Sequence, residues 1–339
     1  MTAPKPWVPE YAVSVQVARH LCCEQFTASF AADVAVTPFG QGWDNRAFLM
    51  IDRAGFEWVL RFPQRAVAAP LMARELELLP RLSAKLASSD ATPADAGLDA
   101  AVESTLALPN PELQGVAAGD YPYPFGGYRR LPGRTACAWK RGPGAERPGA
   151  RALGQLLGAL HPLGSAAPFV KFFERDLGTG DALAGRLRRF EERLGELEAG
   201  SARLGVQPSD IRGAAHEVRT CPPWNGPPQL VHGDLYGRHL LVDEAGHPTA
   251  VIDWGDAHRG DPALDLSFAW TYFAGPAREE LLAAYERVSG SEVDPATRGR
   301  ARFRALEYGV TLLHYGSSVG DGPMADLGRE ALQHVLGAP

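Results

Sequence analysis

The apolar positions of this chain change their period partway along its length. Before about residue 131, short strand-like apolar runs dominate. Arg46-Ala47-Phe48-Leu49-Met50-Ile51 and Phe56-Glu57-Trp58-Val59-Leu60-Arg61-Phe62 read as strands joined by a turn at Asp52-Arg53-Ala54-Gly55. A helix is expected over 9–23, where Val13, Val17 and Leu21 recur every fourth residue. A second is expected over 71–88, with Pro80 bending or restarting it. Residues 89–115 read as loop, with a strand near Leu106. Residues 121–131 read as one or two strands interrupted by Pro122, Pro124 and Gly126-Gly127, and Leu131-Pro132-Gly133 as a crossover.

From residue 149 the spacing is helical. The pattern predicts an apolar helix over 152–161, a long charged amphipathic helix over 180–204, and helices over 266–274, 277–289, 296–317 and 323–336. The charged stretch 186–198 has the spacing of a solvated helix face. Arg141 to Pro148 reads as loop, and Thr220 to Pro228 as a breaker segment leading into a strand. The expected architecture is α+β, with a smaller strand-rich N-lobe over 1–131 and a larger, mainly helical C-lobe over 132–339.

Composition narrows the setting. Hydrophobic residues make up 45% of the 339 positions and charged residues 22%, the balance of an ordinary globular protein able to bury a large core. A net charge of −6 and the lack of a Lys/Arg-rich block argue against a nucleic-acid partner. The four cysteines, Cys22, Cys23, Cys137 and Cys221, lack metal-ligand spacing and read as reduced thiols. No apolar signal core opens the chain, and no run is long enough for a membrane helix. A cytoplasmic protein without a membrane partner, monomeric or homodimeric, is expected.

Chemistry concentrates in one stretch: Val231-His232-Gly233-Asp234-Leu235-Tyr236-Gly237-Arg238-His239, then Val251-Ile252-Asp253-Trp254-Gly255-Asp256, then Gly260-Asp261-Pro262-Ala263-Leu264-Asp265-Leu266. Leu240-Leu241-Val242 reads as a strand, 243–248 as a turn, and Thr249-Ala250-Val251-Ile252 as the return strand. Such a hairpin folds Asp253 back beside His239. One carboxylate then stands ready for a hydroxyl, and a second for a metal.

The order resembles the H-R-D-L-x-x-x-N and D-F-G signatures of protein kinases. The three segments together resemble the aminoglycoside phosphotransferase (antibiotic kinase) family, which includes macrolide phosphotransferases, choline kinases and homoserine kinases. His239 stands where that family most often has Asn, a variant similar to that of macrolide phosphotransferases. The resemblance implies a protein-kinase-like two-lobe fold with ATP or GTP bound in the cleft between lobes, and Mg2+.

On that resemblance Asp234 is the candidate catalytic base, orienting a substrate hydroxyl and accepting its proton late. Asp253 is the candidate metal ligand, since a hard carboxylate suits Mg2+. His239 is the second candidate ligand, although Mg2+ favours oxygen, and the alternative is a His that only hydrogen-bonds Asp234 or Asp253. Arg238 would approach the transferred phosphate or pair with Asp265. His232 is expected to brace the loop, and Asp256, His258 and Asp261 to line an acceptor pocket.

In the N-lobe, Arg61 occupies the place of the kinase strand lysine and could grip phosphate in a fork. Glu75 is its expected partner, with Glu77 open as an alternative. Gly42, Asp44 and Asn45, in Gly40-Gln41-Gly42-Trp43-Asp44-Asn45, would cover the nucleotide phosphates. The backbone near Arg129, Arg130 and Leu131 would meet the purine. Phe169, Phe172, Phe173, Trp254, Trp270, Tyr272 and Phe273 offer aromatic surface, read mainly as core.

The resulting expectation is a nucleotide-dependent O-phosphotransferase acting on a small-molecule hydroxyl, of macrolide or aminoglycoside type. Alternatives are a kinase of an endogenous choline- or homoserine-like alcohol, a metal-dependent hydrolase using His232, Asp234, His239 and Asp253, and a non-catalytic nucleotide-binding regulator.

Overall fold

A computed structural model describes residues 9–42, 44–88, 106–139, 148–173, 183–200 and 204–337. Trp43, most of the loop expected over 89–115, the loop at 141–147 and residues 180–182 and 201–203 of the helix expected over 180–204 lie outside the described residues. The chain divides into two compact units, Met1–Asp90 with Ala107–Leu131, and Ala91–Leu106 with Pro132–Pro339.

The first unit is built on an antiparallel sheet. Helix α1 (Val15–Gln25) starts at Ser14, whose hydroxyl accepts the Val17 amide at 3.2 Å. It begins later than the expected 9–23 because that cap fixes its first turn. Strands β1 (Val36–Gln41), β2 (Asn45–Ile51) and β3 (Glu57–Pro63) precede helix α2 (Ala69–Ser88), and β4 (Leu113–Gly115) and β5 (Phe125–Arg129) follow it. Their order is β1-β2-β3-β5-β4.

The β2–β3 register places Phe48 opposite Leu60 and Met50 opposite Trp58, so alternate residues bury one face among Leu21, Phe30 and Phe125. The turn is locked by Asp52, which accepts the Ala54 and Phe56 amides at 2.9 Å and the Trp58 indole at 2.8 Å. The other face carries Arg61, directly opposite Gly126 of β5. A Cβ at Gly126 would lie 2.3 Å from the Leu76 side chain, so the bare glycine lets α2 close onto the strand.

Helix α2 runs unbroken through Pro80, so it does not restart there, one of the two outcomes expected of that proline. Proline removes a single amide, and Met72, Leu76, Leu79 and Leu82 bury one continuous face spanning it.

The second unit is mainly helical. It holds β6 (Arg134–Thr135), α3 (Ala150–Leu160), α4 (Ala167–Phe172), α5 (Leu183–Ala199), α6 (Pro208–Glu217), β7 (Gln229–Val231), β8 (Leu240–Val242), β9 (Pro248–Val251) and β10 (His258–Gly260). Helices α7 (Ala263–Leu266), α8 (Phe268–Thr271), α9 (Gly275–Ser289), α10 (Pro295–Val319) and α11 (Gly322–Leu336) complete it. The short α4 and three-turn α6 were not expected from the sequence. Both start with Pro in their first turn, and of the buried positions of α6, Ile211, Ala214 and Ala215, only the first is a large apolar side chain, so the helical period is faint. Phe169, Phe173, Trp254, Trp270, Tyr272 and Phe273 are buried core, and Phe172 is partly buried. No helix among the described residues is long and apolar enough to cross a membrane.

Candidate active site

Two short strand pairs aim the chemistry-bearing loop of the second unit. Strand β7 pairs with β10, His258 opposite Val231, and β8 pairs with β9, Leu240 opposite Val251. The hairpin closes as the two short apolar runs Leu240–Val242 and Thr249–Ile252 about a turn predict, and the Ile252 amide donates to the His239 carbonyl at 2.9 Å. This last bond sets Asp253 beside His239: His239 Nε2 lies 3.4 Å from Asp253 Oδ2. On the other side of the ring, His239 Nδ1 donates to the Asp234 carbonyl at 2.8 Å and stands 3.6 Å from Asp234 Oδ2. That bond puts a proton on Nδ1 and turns Nε2 toward Asp253.

The loop is held from beneath by Asp265. Its buried carboxylate accepts the His232 amide at 2.6 Å, the Gly233 amide at 3.0 Å and His161 Nε2 at 3.3 Å. Burial pushes the Asp265 carboxyl upward, but the His161 hydrogen bond, the nearby imidazoles and the amide together hold it below the usual range. His161 in turn meets the Tyr285 hydroxyl at 3.0 Å. His232 accepts the Asp234 amide at Nδ1 (3.2 Å) and donates from Nε2 to the Ile252 carbonyl at 3.0 Å. Burial, foremost, pushes its pKa down, so the ring is a neutral brace between the two loops. Gly233 has φ 89°, and a Cβ there would lie 2.3 Å from the Asp256 carbonyl oxygen, so only glycine makes this turn.

Arg238 does not reach Asp265, which is already saturated by amides and His161. Its guanidinium instead pairs with Asp321, the residue that caps α11. Asp261 caps α7 through the Ala263 amide at 3.0 Å and pairs with Arg300 at 2.7 Å, while His258 donates to the Asp256 carbonyl at 2.8 Å.

In the first unit, Arg61 and Glu75 form a buried ion pair, 7% and 3% exposed. Glu77, the other sequence candidate, points outward and pairs with Arg81. Asp44 pairs with Arg65 at 2.8 Å, Gly42 donates its amide to the Asn45 carbonyl at 2.9 Å, and the Asn45 side-chain oxygen is buried without a hydrogen bond. Arg130 binds Glu57 at 2.9 Å through both its amide and its side chain, and Leu131 ends the unit.

Sequence reading missed Tyr308, His161, Tyr285 and Asp321. Tyr308, on α10, places its hydroxyl 3.2 Å from Asp234 Oδ1 across 74 positions of chain. Nothing in the helical pattern around it sets it apart from a core aromatic.

The phosphotransferase enzyme family model (APH) matches residues 35–306. The chain belongs to this family, a class of small-molecule kinases. Solved structures agree in fold. Macrolide 2'-phosphotransferase MphH from Brachybacterium faecium superposes with a TM-score of 0.56 at 21% identity, covering 94% of this chain and 97% of that one. The GDP complex of wild-type aminoglycoside 2'-phosphotransferase-IIIa gives 0.59 at 21% identity, covering 96% and 99%. The fold is therefore protein-kinase-like α+β, as the order of elements implied. A curated relative, the uncharacterized protein YcbJ of Bacillus subtilis (strain 168), is 37% identical over 67 residues, and this chain spans 22% of its length.

Proposed function

We propose that the protein transfers the γ-phosphoryl group of ATP or GTP to a hydroxyl of a small molecule. The observation that carries this reading is the Asp234–His239–Asp253 constellation, two carboxylates flanking one imidazole on a braced loop and hairpin. In the transfer, Asp234 orients the acceptor hydroxyl and takes its proton. The acceptor oxygen forms its bond to phosphorus as the bond to the bridging oxygen of the nucleoside diphosphate breaks.

Among the described residues, no group of three or more His, Cys, Asp or Glu side chains is set to hold a metal alone. A carboxylate and an imidazole lone pair fit an ion that takes its other ligands from phosphate and water, as Mg2+ does. His239 and Asp253 would hold that ion, whose charge would neutralise the phosphates. Arg61, fixed by Glu75, and the turn carrying Gly42, Asp44 and Asn45 serve the phosphates in this reading, and the backbone at Arg130 and Leu131 the base. Arg238, locked to Asp321, acts by fixing the catalytic loop near the phosphate. GDP complexes of aminoglycoside phosphotransferases of similar fold support nucleotide use and keep GTP beside ATP.

For the acceptor, an antibiotic of macrolide type is favoured over an aminoglycoside. Arg304, Glu307, Tyr308 and Thr311 share one face of α10, and Arg186 and Arg193 of α5 bind Glu307 and Thr311 there at 3.0 and 2.9 Å. A face richer in guanidinium than in carboxylate repels a polycation. The same face leaves an endogenous alcohol, neutral or anionic, as the second reading.

The test is a coupled nucleotide-consumption assay with Mg2+, run separately with ATP and GTP, against macrolides, aminoglycosides, choline and homoserine. Acceptor-dependent turnover that vanishes in Asp234→Ala supports the transfer. Nucleotide binding with no turnover on any acceptor would favour a non-catalytic regulator instead.

A further inference from the structure

We propose that Tyr308 is a positioning residue for Asp234: its hydroxyl holds one carboxylate oxygen so that the other faces the acceptor hydroxyl. The proposal rests on the transfer reading above and adds a residue from α10 to it.

The geometry is one-sided. The Tyr308 hydroxyl lies 3.2 Å from Asp234 Oδ1 and 3.4 Å from the Gly233 carbonyl, both acceptors. Asp234 Oδ2 points the other way, toward His239, whose Nδ1 proton is already given to the Asp234 main-chain carbonyl at 2.8 Å. A carboxylate turns easily about its terminal torsion, because that sp3–sp2 bond has broad wells. A charge-assisted hydrogen bond to one oxygen removes that freedom and distinguishes the two oxygens.

The donor is itself fixed. Burial, then the charge of Asp234, pushes the Tyr308 hydroxyl well above its ordinary pKa, so it keeps its proton and only donates to the carboxylate. Its ring stacks on Tyr236 with centroids 6.3 Å apart, and Tyr236 sets its edge against His239 at 4.4 Å. Ring and hydroxyl therefore have separable tasks, which makes Phe the informative replacement.

The experiment compares full-length wild type, Tyr308→Phe, Asp234→Asn and the double variant. The expected result is a kcat about tenfold lower in Tyr308→Phe, the scale of a lost hydrogen bond to a charged group, with nucleotide KM unchanged and Tm lowered by a few degrees. In the Asp234→Asn background the same change has no further effect, since the two act as a unit. A kcat within about twofold of wild type, or an equal loss in both backgrounds, overturns the proposal.

A second readout needs no acceptor. In 3-fluorotyrosine-labelled protein, the fluorine resonance missing from Tyr308→Phe shifts in Asp234→Asn and stays in place in Glu77→Gln. A resonance unmoved by Asp234→Asn overturns the pairing. Should wild type consume no nucleotide with any acceptor, the transfer reading alone fails, and the fluorine signal still decides the Tyr308–Asp234 pair.

Discussion

Arg61 and Glu75 are sealed from water, whereas the side chains of Asp234 and Asp253 keep 36% and 38% of their surface exposed. Each unit thus handles charge differently. In the first, an ion pair is buried between a strand and a helix, and its strength lies in mutual satisfaction: neither charge has water to fall back on. In the second, the carboxylates stay wet, as the proposed transfer requires, and the buried charge is moved one layer down to Asp265, whose oxygens accept from backbone amides and His161. The charges to which the proposed reaction falls are kept partly in solvent, and those that hold the fold are closed away.

The sharpest way to break this contrast is to remove an exposed carboxylate. Asp234→Ala is expected to lower kcat by about three orders of magnitude, within the range for a lost general base, while Tm stays within a few degrees. A variant keeping a tenth or more of wild-type turnover would put Asp234 among the holding charges. Next in size, Glu75→Ala should cost about 3 kcal/mol of unfolding free energy by urea titration, because the buried Arg61 loses the carboxylate it packs against.

The pH dependence of stability sharpens the contrast further. His232 has a folded pKa below its unfolded value, so it contributes stability that is present above about pH 6.5 and lost as pH falls through that value toward the folded pKa. The slope from this one group is at most about 1.4 kcal/mol per pH unit, and His232→Gln should flatten it in denaturation series from pH 7 to 5. The smallest effect belongs to the exposed pair: Glu77→Ala should change stability by no more than about 0.5 kcal/mol. A loss as large as that of Glu75→Ala would erase the distinction between the two glutamates.

Local pattern carried much of this architecture. Short apolar runs bounded by turns marked β2, β3 and the β8–β9 hairpin, and the hairpin alone dictated that His239 and Asp253 meet. Helical spacing ranked Glu75 above Glu77, because Leu79 and Leu82 continue its face. Contacts made across long stretches of chain left no such trace. Tyr308 reaches Asp234, Arg238 reaches Asp321 and His161 reaches Asp265 only after the helices have packed. Helix α2 passing through Pro80 is the same lesson in reverse, since packing on both sides of the proline overrides its local preference.

Among the described residues, Asp253 is the one non-glycine residue with a left-handed backbone, φ 65°. Replacing it with glycine would relieve about 1 kcal/mol of steric strain. A library of variants sorted purely for heat resistance should therefore enrich Asp253→Gly, and every survivor carrying it would have lost the carboxylate beside His239. The hairpin's last turn marks where durability and the proposed purpose part: the shape that sets a carboxylate beside His239 is held at a thermodynamic disadvantage.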